Sequence, residues 1–211
     1  MGKHQRARGV LVGLLGPGLL LAAGAAFAHA GHGTMGAGGF SDGFLHPVTG
    51  LDHLVAMVAV GLWGAQLGLP ALWVLPVAFP LVMAVGGFIG MLGVPLPGAV
   101  YGVALSDIVL GLAVAFALRP PFALAALIVA LFAVFHGFTH GAALPLTGVP
   151  LAYTSGFVLA TGLLHLCGIV IGLAIRWPGG AIAIRMLGLA VAAVGVAFLG
   201  AAAGLWTLDV G

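Results

Sequence analysis

At positions 46 to 53 the sequence reads His46-Pro47-Val48-Thr49-Gly50-Leu51-Asp52-His53, and the first long apolar segment after the N-terminal region starts within it. Proline and glycine interrupt regular structure here, and Thr49 and Asp52 have the spacing of a helix-capping box. We therefore expect a helix that starts near Gly50 and ends at about Leu69.

The same stretch is rich in metal-binding side chains, although the whole chain has only four acidic residues. His46, Asp52 and His53 lie close together, and Met57 follows His53 at i+4, on the same face of the predicted helix. Imidazole, carboxylate and thioether groups suit Ni²⁺, Co²⁺ or Cu²⁺ better than Mg²⁺ or Ca²⁺. Each residue also has a structural interpretation, with Asp52 as a helix cap and His46 as an interfacial hydrogen-bonding residue.

The composition decides the fold class. Hydrophobic residues make up 63% of the 211 residues and charged residues 5%, whereas about a quarter of a soluble domain is charged. The six basic residues are too few for a nucleic-acid-binding surface. The chain is therefore predicted to be an all-α, polytopic membrane protein in contact with the lipid bilayer. Six apolar segments are long enough to cross about 30 Å of hydrocarbon: Leu51–Leu69, Ala71–Leu92, Gly98–Leu118, Pro121–Leu144, Leu151–Ile175 and Ile182–Leu205.

The N-terminal region reads as a secretory signal peptide, with basic residues followed by an apolar run and small residues. We expect residues 1–28 to be the signal peptide, cut after residue 28 or 30. Residues 29–45 are expected to be a Gly- and His-containing periplasmic leader, and residues 46–211 the transmembrane domain. An uncleaved first membrane helix is the alternative.

The arginines predict the orientation in the membrane. With a cleaved signal peptide and six spans, Arg119, Arg176 and Arg185 fall on one side, which the positive-inside rule makes cytoplasmic. Both mature termini are then periplasmic, and the protein lies in the bacterial inner membrane.

Glycine and proline positions predict how the helices pack. Two prolines, Pro76 and Pro80, lie inside the second apolar segment and predict a kinked or locally broken helix. Four Gly-x3-Gly spacings predict close helix contacts: Gly64 with Gly68, Gly86 with Gly90, Gly137 with Gly141, and Gly168 with Gly172.

A second group of ionisable residues lies within the apolar segments. His136 and His140 are spaced i and i+4, which lets two imidazoles reach one metal ion. Asp107 and His165 complete the set, and intramembrane ionisable groups are functional candidates by default. Counted along the predicted helices, His136 lies about 10 Å deep, Asp107 about 14 Å and His165 about 21 Å. The structural alternatives are hydrogen bonds between helices, and Thr161 as the partner of His165.

These motifs resemble those of the HupE/UreJ proteins. The first is His46-Pro47-x2-Gly50-x-Asp52-His53-x3-Met57, continuing through Gly61–Gly68, and the second is Phe135-His136-Gly137-x2-His140-Gly141-x3-Pro145. The resemblance covers essentially the whole chain after the signal peptide. It implies a nickel or cobalt permease associated with hydrogenase or urease maturation, with a metallochaperone or maturation protein as partner. It implies no prosthetic group, because Ni²⁺ or Co²⁺ is the transported ion.

The chain differs from this family pattern at two positions. Ala143 lies where the second signature usually carries an acid. Val100 lies where the third helix often carries one, while Asp107 is placed deeper.

Two other functional classes remain open from the residues alone. A b-type haem electron carrier would use His53, His136 or His165 as axial ligands. An intramembrane hydrolase would use Ser106 and Asp107 with His136, although neither Gly-x-Ser-x-Gly nor His-Glu-x2-His is present. No nucleotide-binding motif is visible, so an ATP-driven step is not expected.

Overall fold

The computed structural model describes residues 39–143 and 149–207, and within these ranges it is helical, without strands. Its seven α-helices are α1 Phe40–Thr49, α2 Leu51–Leu67, α3 Ala71–Met91, α4 Ala99–Ala115, α5 Phe122–Ala142, α6 Pro150–Gly172 and α7 Gly180–Ala202. A short 3₁₀ helix, Leu173–Arg176, extends α6. The all-α prediction is confirmed for this part of the chain. The predicted signal peptide lies outside the described residues.

A helix lies within each of the six predicted apolar segments, but not every one is long enough to span a bilayer alone. Helices α3, α5, α6 with its 3₁₀ extension, and α7 are long and apolar enough. The chain bends by 80° between α1 and α2, and these two helices are long and apolar enough to span a bilayer only when taken together. Helix α4 has 17 residues. Length and composition therefore support four spans, or five with the bent pair.

The first helix, α1, was not predicted, and it changes the interpretation of Thr49. Thr49 ends α1, and its hydroxyl donates to the carbonyls of Leu45 and His46 at 3.1 and 3.2 Å. Its side chain makes no capping bond to α2, so the predicted capping box is wrong. The threonine bonds back into its own helix because α1 continues up to it. The predicted start of α2 near Gly50 is confirmed.

Glycines bring the helices into backbone contact, as three of the four predicted spacings require. A Cβ on Gly86 or Gly90 of α3 would strike the backbone of α5, and one on Gly137 or Gly141 of α5 would strike α3. Gly168 of α6 lies against α2 in the same way. The prediction for Gly64 and Gly68 is wrong, because Gly68 has a φ of 76° and ends α2 instead of packing against another helix.

One end of the bundle is tied together at the C-terminal carbonyls of α4. Side chains of α2 and α7 donate to carbonyls in the last turn of α4 and just after it, where the regular i+4 donors run out. The bonds are Trp63 Nε1 to Leu118 at 2.9 Å, Gln66 Nε2 to Val114 at 3.0 Å and Arg185 Nε to Ala115 at 2.8 Å. The C-terminal ends of α2 and α4 therefore meet the N-terminal end of α7.

The α3–α5 contact provides a stability test. Gly137→Ala should lower the free energy of unfolding by roughly 1–3 kcal/mol, because the added methyl group overpacks backbone against backbone. The measurement is thermal unfolding of the purified protein in detergent. Gly162→Ala on α6 is the matched control, since nothing lies within 4 Å of a Cβ there. Equal melting temperatures for the two variants would contradict the packing.

Candidate metal site

Four histidine rings meet where α1, α2 and α5 come together. The His53 ring centroid lies 4.1 Å from that of His140 and 4.6 Å from that of His136, and the His46 and His140 centroids are 4.7 Å apart. We call His46, His53, His136 and His140 the histidine cluster. The two histidine motifs, around residues 50 and 138, are far apart in the chain, and their side chains come into contact in this cluster.

Local geometry explains how the cluster forms. The 80° bend between α1 and α2 lets His46 approach the start of α2, although seven positions separate it from His53. The i, i+4 spacing puts both α5 histidines on one face. Aromatic side chains of α6 close the outer side, with the Phe157 ring 4.3 Å from His140 and the Tyr153 ring 6.1 Å from His46.

Asp52 fixes the orientation of His53. The Nδ1 of His53 donates to Asp52 Oδ1 at 2.8 Å, and the same oxygen accepts the backbone N–H of His53 at 2.9 Å. The neutral ring then has its lone pair on Nε2. This nitrogen is buried and has no hydrogen-bond partner among the described residues. A carboxylate on the far nitrogen is the usual arrangement behind a metal-binding histidine.

Ser106 of α4 has the same relation to His136. Its hydroxyl donates to the Val103 carbonyl at 2.6 Å and lies 2.7 Å from His136 Nε2. With the serine proton on the carbonyl, Nε2 donates to the serine oxygen, and this tautomer has its lone pair on Nδ1. That nitrogen is fully buried and unpartnered in the described part of the chain.

His165 of α6 lies beyond the cluster, separated from it by Phe79. The Phe79 ring centroid is 5.7 Å from that of His136 and 5.4 Å from that of His165. The His165 Nδ1 donates to the Pro76 carbonyl of α3 at 3.1 Å. Thr161 is therefore not its partner, which corrects the structural alternative derived from the sequence.

Asp107 and Met57 are the two remaining candidate ligands, and both are buried outside the ring contacts of the cluster. Asp107 is fully buried beside Gly195 of α7, and neither of its oxygens has a hydrogen-bond partner within the described residues. It does not face lipid. Met57 is fully buried within the hydrophobic core. The structure thus brings together four of the eight predicted site residues, attaches Asp52 to them, and leaves Met57, Asp107 and His165 outside this group.

The cluster is not a closed metal cage. Across residues 39–143 and 149–207, no group of three or more His, Cys, Asp or Glu side chains is already arranged to hold one ion. The rings instead touch at their edges and faces. At least one of these side chains has to move before three of them can share an ion.

Two cavities lie along α5, and one of them includes a histidine of the cluster. One, of about 210 Å³, lies between α3, α5 and α6, is lined mainly by apolar side chains and includes His140 and Tyr153. A shallower groove between α4 and α5 is lined by Val100 and Ala143 together. The two positions at which the sequence differs from the family pattern are therefore neighbours in space.

The geometry does not match a Ser-His-Asp triad, or a haem held between His53 and His136. In a Ser-His-Asp triad, the carboxylate accepts from the histidine and the serine proton faces the ring. Here His136 Nδ1 lacks a partner in the described residues, and the proton of Ser106 faces the Val103 carbonyl. A haem between His53 and His136 has no room, because these rings are in contact.

Comparison with known proteins places this site in a family. The family described as HupE / UreJ protein matches residues 18–198. The chain belongs to the HupE/UreJ family. Protein HupE of Rhizobium leguminosarum bv. viciae is 42% identical over 174 residues, which cover 82% of this chain and 90% of that relative. No solved structure matches the chain. The resemblance predicted from the two histidine motifs is confirmed.

Sequence reasoning missed three contributors to this HupE/UreJ site. Phe79 had no signal beyond its place among apolar residues. Ser106 was noted as a hydrolase candidate, not as the partner of a histidine. The Pro76 carbonyl, which accepts the hydrogen bond of His165, is a backbone group. The only sequence signal for a free carbonyl there was the spacing of the two prolines in α3.

The Ser106 contact generates a prediction about metal binding. Ser106→Ala should weaken Ni²⁺ binding to the purified protein by about 10–100-fold, the usual cost of losing a group that orients a ligand. Titration calorimetry with Ni²⁺ measures this. Ser155→Ala is the matched control, because Ser155 is exposed and bonds only its own helix. Unchanged affinity in Ser106→Ala would show that the contact does not orient His136 for a metal ion.

Proposed function

We propose that the protein is a permease that carries Ni²⁺, or Co²⁺, from the periplasm to the cytoplasm. There it supplies hydrogenase or urease maturation through a metallochaperone or maturation protein. The observation that carries this proposal is the Asp52–His53 pair, whose open nitrogen lies on a ring in contact with His136 and His140. Membership in the HupE/UreJ family and the apolar helices support it. The ion is cargo, and no prosthetic group is proposed.

The donor set suits this class of ion. Neutral imidazoles with one carboxylate favour nickel, cobalt and their neighbours over calcium and magnesium, whose ligands are oxygens. Incomplete preorganisation also suits transport, since a site that binds too tightly holds its ion. The membrane potential favours inward movement of a divalent cation by roughly 4.6 kcal/mol at 100 mV.

The proposed orientation has six spans with both mature termini in the periplasm. The histidine cluster lies at the start of α2 and the end of α5, whereas Arg185 lies at the opposite end of the bundle, at the carbonyls of α4. Arginine on the cytoplasmic side therefore goes with a cluster on the periplasmic side. Helix α4 lies at the lower limit of spanning length.

This orientation predicts the side on which the C-terminus lies. A reporter that is active only in the cytoplasm, fused after Gly211, should give no signal, while the same reporter inserted after Arg119 should be active. Fluorescence of whole cells measures both. Activity of the fusion after Gly211 would contradict six spans with a cleaved signal peptide.

The role of the cluster predicts the effect of removing its carboxylate. Asp52→Asn and His53→Ala should abolish ⁶³Ni²⁺ uptake by cells while the protein still inserts, because each removes a ligand or its orienting group and adds no charge. Asp42→Asn is the matched control, since Asp42 accepts the Gly39 N–H outside the cluster. Normal uptake by Asp52→Asn would mean that the carboxylate is only structural.

The deeper residues are proposed to form later steps for the ion. Asp107→Asn in the same uptake assay should stop transport while Ni²⁺ binding to the purified protein stays near that of the parent. Loss of binding together with uptake would instead place Asp107 in the outer site, and normal uptake would remove it from the path.

A further inference from the structure

Helix α3 contains a backbone carbonyl that lacks its usual helical donor. In an α-helix the carbonyl of residue i accepts the N–H of residue i+4. The residue four positions after Pro76 is Pro80, which has no N–H. The helix is nevertheless continuous from Ala71 to Met91. The local break that the sequence analysis allowed at Pro76 or Pro80 is therefore absent from this helix. The Pro76 oxygen is left for a donor from another helix.

His165 supplies that donor. Its Nδ1 lies 3.1 Å from the Pro76 oxygen, and its side chain is 1% exposed. A carbonyl only accepts, so Nδ1 carries the proton, and in the neutral ring Nε2 keeps the lone pair. Nε2 is buried and has no hydrogen-bond partner among the described residues.

A purely structural role leaves this second nitrogen unexplained. A donor-only group, such as an indole N–H, would satisfy the Pro76 carbonyl without burying an unpaired acceptor. Thr161 precedes His165 by one turn on the same face of α6, and its hydroxyl is also buried without a partner in the described chain. Two unpartnered polar groups therefore share one helical face, and one of them, His165, is separated from His136 of the cluster by the Phe79 ring.

We propose that Pro80 makes His165 a metal-binding step beyond the cluster. By leaving the Pro76 carbonyl without its helical donor, Pro80 lets that carbonyl hold the Nδ1–H of His165, and Nε2 is presented to a divalent transition-metal ion. That the bound ion is the transported metal rests on the proposed function, whereas the tautomer of His165 is a property of the metal-free protein. Pro80 and the Pro76 carbonyl are thus positioning groups, and His165 is the ligand.

The two prolines provide a matched pair of variants. Pro80→Ala restores an N–H that competes for the Pro76 carbonyl. Pro76→Ala keeps a carbonyl at position 76 and restores an N–H to Leu72 instead, so it leaves the His165 acceptor free. Both variants remove one ring from the same helix, and only one of them affects the proposed contact.

The first measurement is nitrogen NMR of the full-length, ¹⁵N-histidine-labelled protein in lipid bilayers without metal. The His165 signals are assigned by their absence in His165→Gln. The parent and Pro76→Ala should show protonated Nδ1 and unprotonated Nε2, and Pro80→Ala should lose this tautomer. A parent protonated on Nε2, or equal effects of the two proline variants, would overturn the proposal.

The second measurement is metal-dependent. Co²⁺ added to the same samples should broaden the His165 Nε2 signal in the parent. His165→Gln can still donate to the carbonyl but lacks the ring lone pair, so its ⁶³Ni²⁺ uptake should fall by about tenfold or more. Parental uptake by His165→Gln would overturn the metal-binding step. Failure of the parent itself to take up nickel would overturn the proposed function and leave the tautomer result standing.

Discussion

A neutral imidazole carries one proton for two ring nitrogens, so at a buried position a single hydrogen bond can decide which nitrogen keeps its lone pair. In three buried histidines the tautomer is set by a different hydrogen-bond partner: a carboxylate for His53, a hydroxyl for His136 and a backbone carbonyl for His165. In each case the other nitrogen is buried without a partner in the described residues. The same device on three helices gives the site its chemical character, since every open nitrogen is a lone-pair donor.

The positions of these partners depend on close helix packing. Glycines on α3 and α5 let the two backbones touch, which sets the height of His136 and His140 relative to Phe79. At the far end, donors from α2 and α7 close the carbonyl end of α4, the helix that carries Ser106. Packing without bulky side chains is what membrane helices use in place of a hydrophobic driving force. Small residues therefore position the polar ones.

Much of this was readable from the sequence because a bilayer requires long apolar helices and makes ionisable residues conspicuous. The helices were predicted in this way, and so was the choice of the histidines as candidate site residues, whereas the contact between the two histidine motifs was not. Helix α1 was not, since it has only 10 residues, contains Pro47 and follows a glycine-rich run, and Thr49 was given the wrong partner as a result. The partners of His136 and His165 lie 30 and 89 positions away in the chain, and no local pattern connects them. The Gly64 spacing failed because Gly68 ends a helix, and a spacing alone does not distinguish a turn from an interface.

The absence of a ready-made cage in the described residues has a kinetic consequence. Under the proposed function, an ion that reaches His53 exchanges water ligands for imidazoles, and at least one ring has to turn among packed aromatic neighbours such as Phe157 before three groups share the ion. Dwell time at the mouth is then governed by side-chain rotation as well as by affinity. An ion that loses its water ligands quickly then moves through the site faster. Selectivity among similar cations would arise partly from these different rates of ligand exchange.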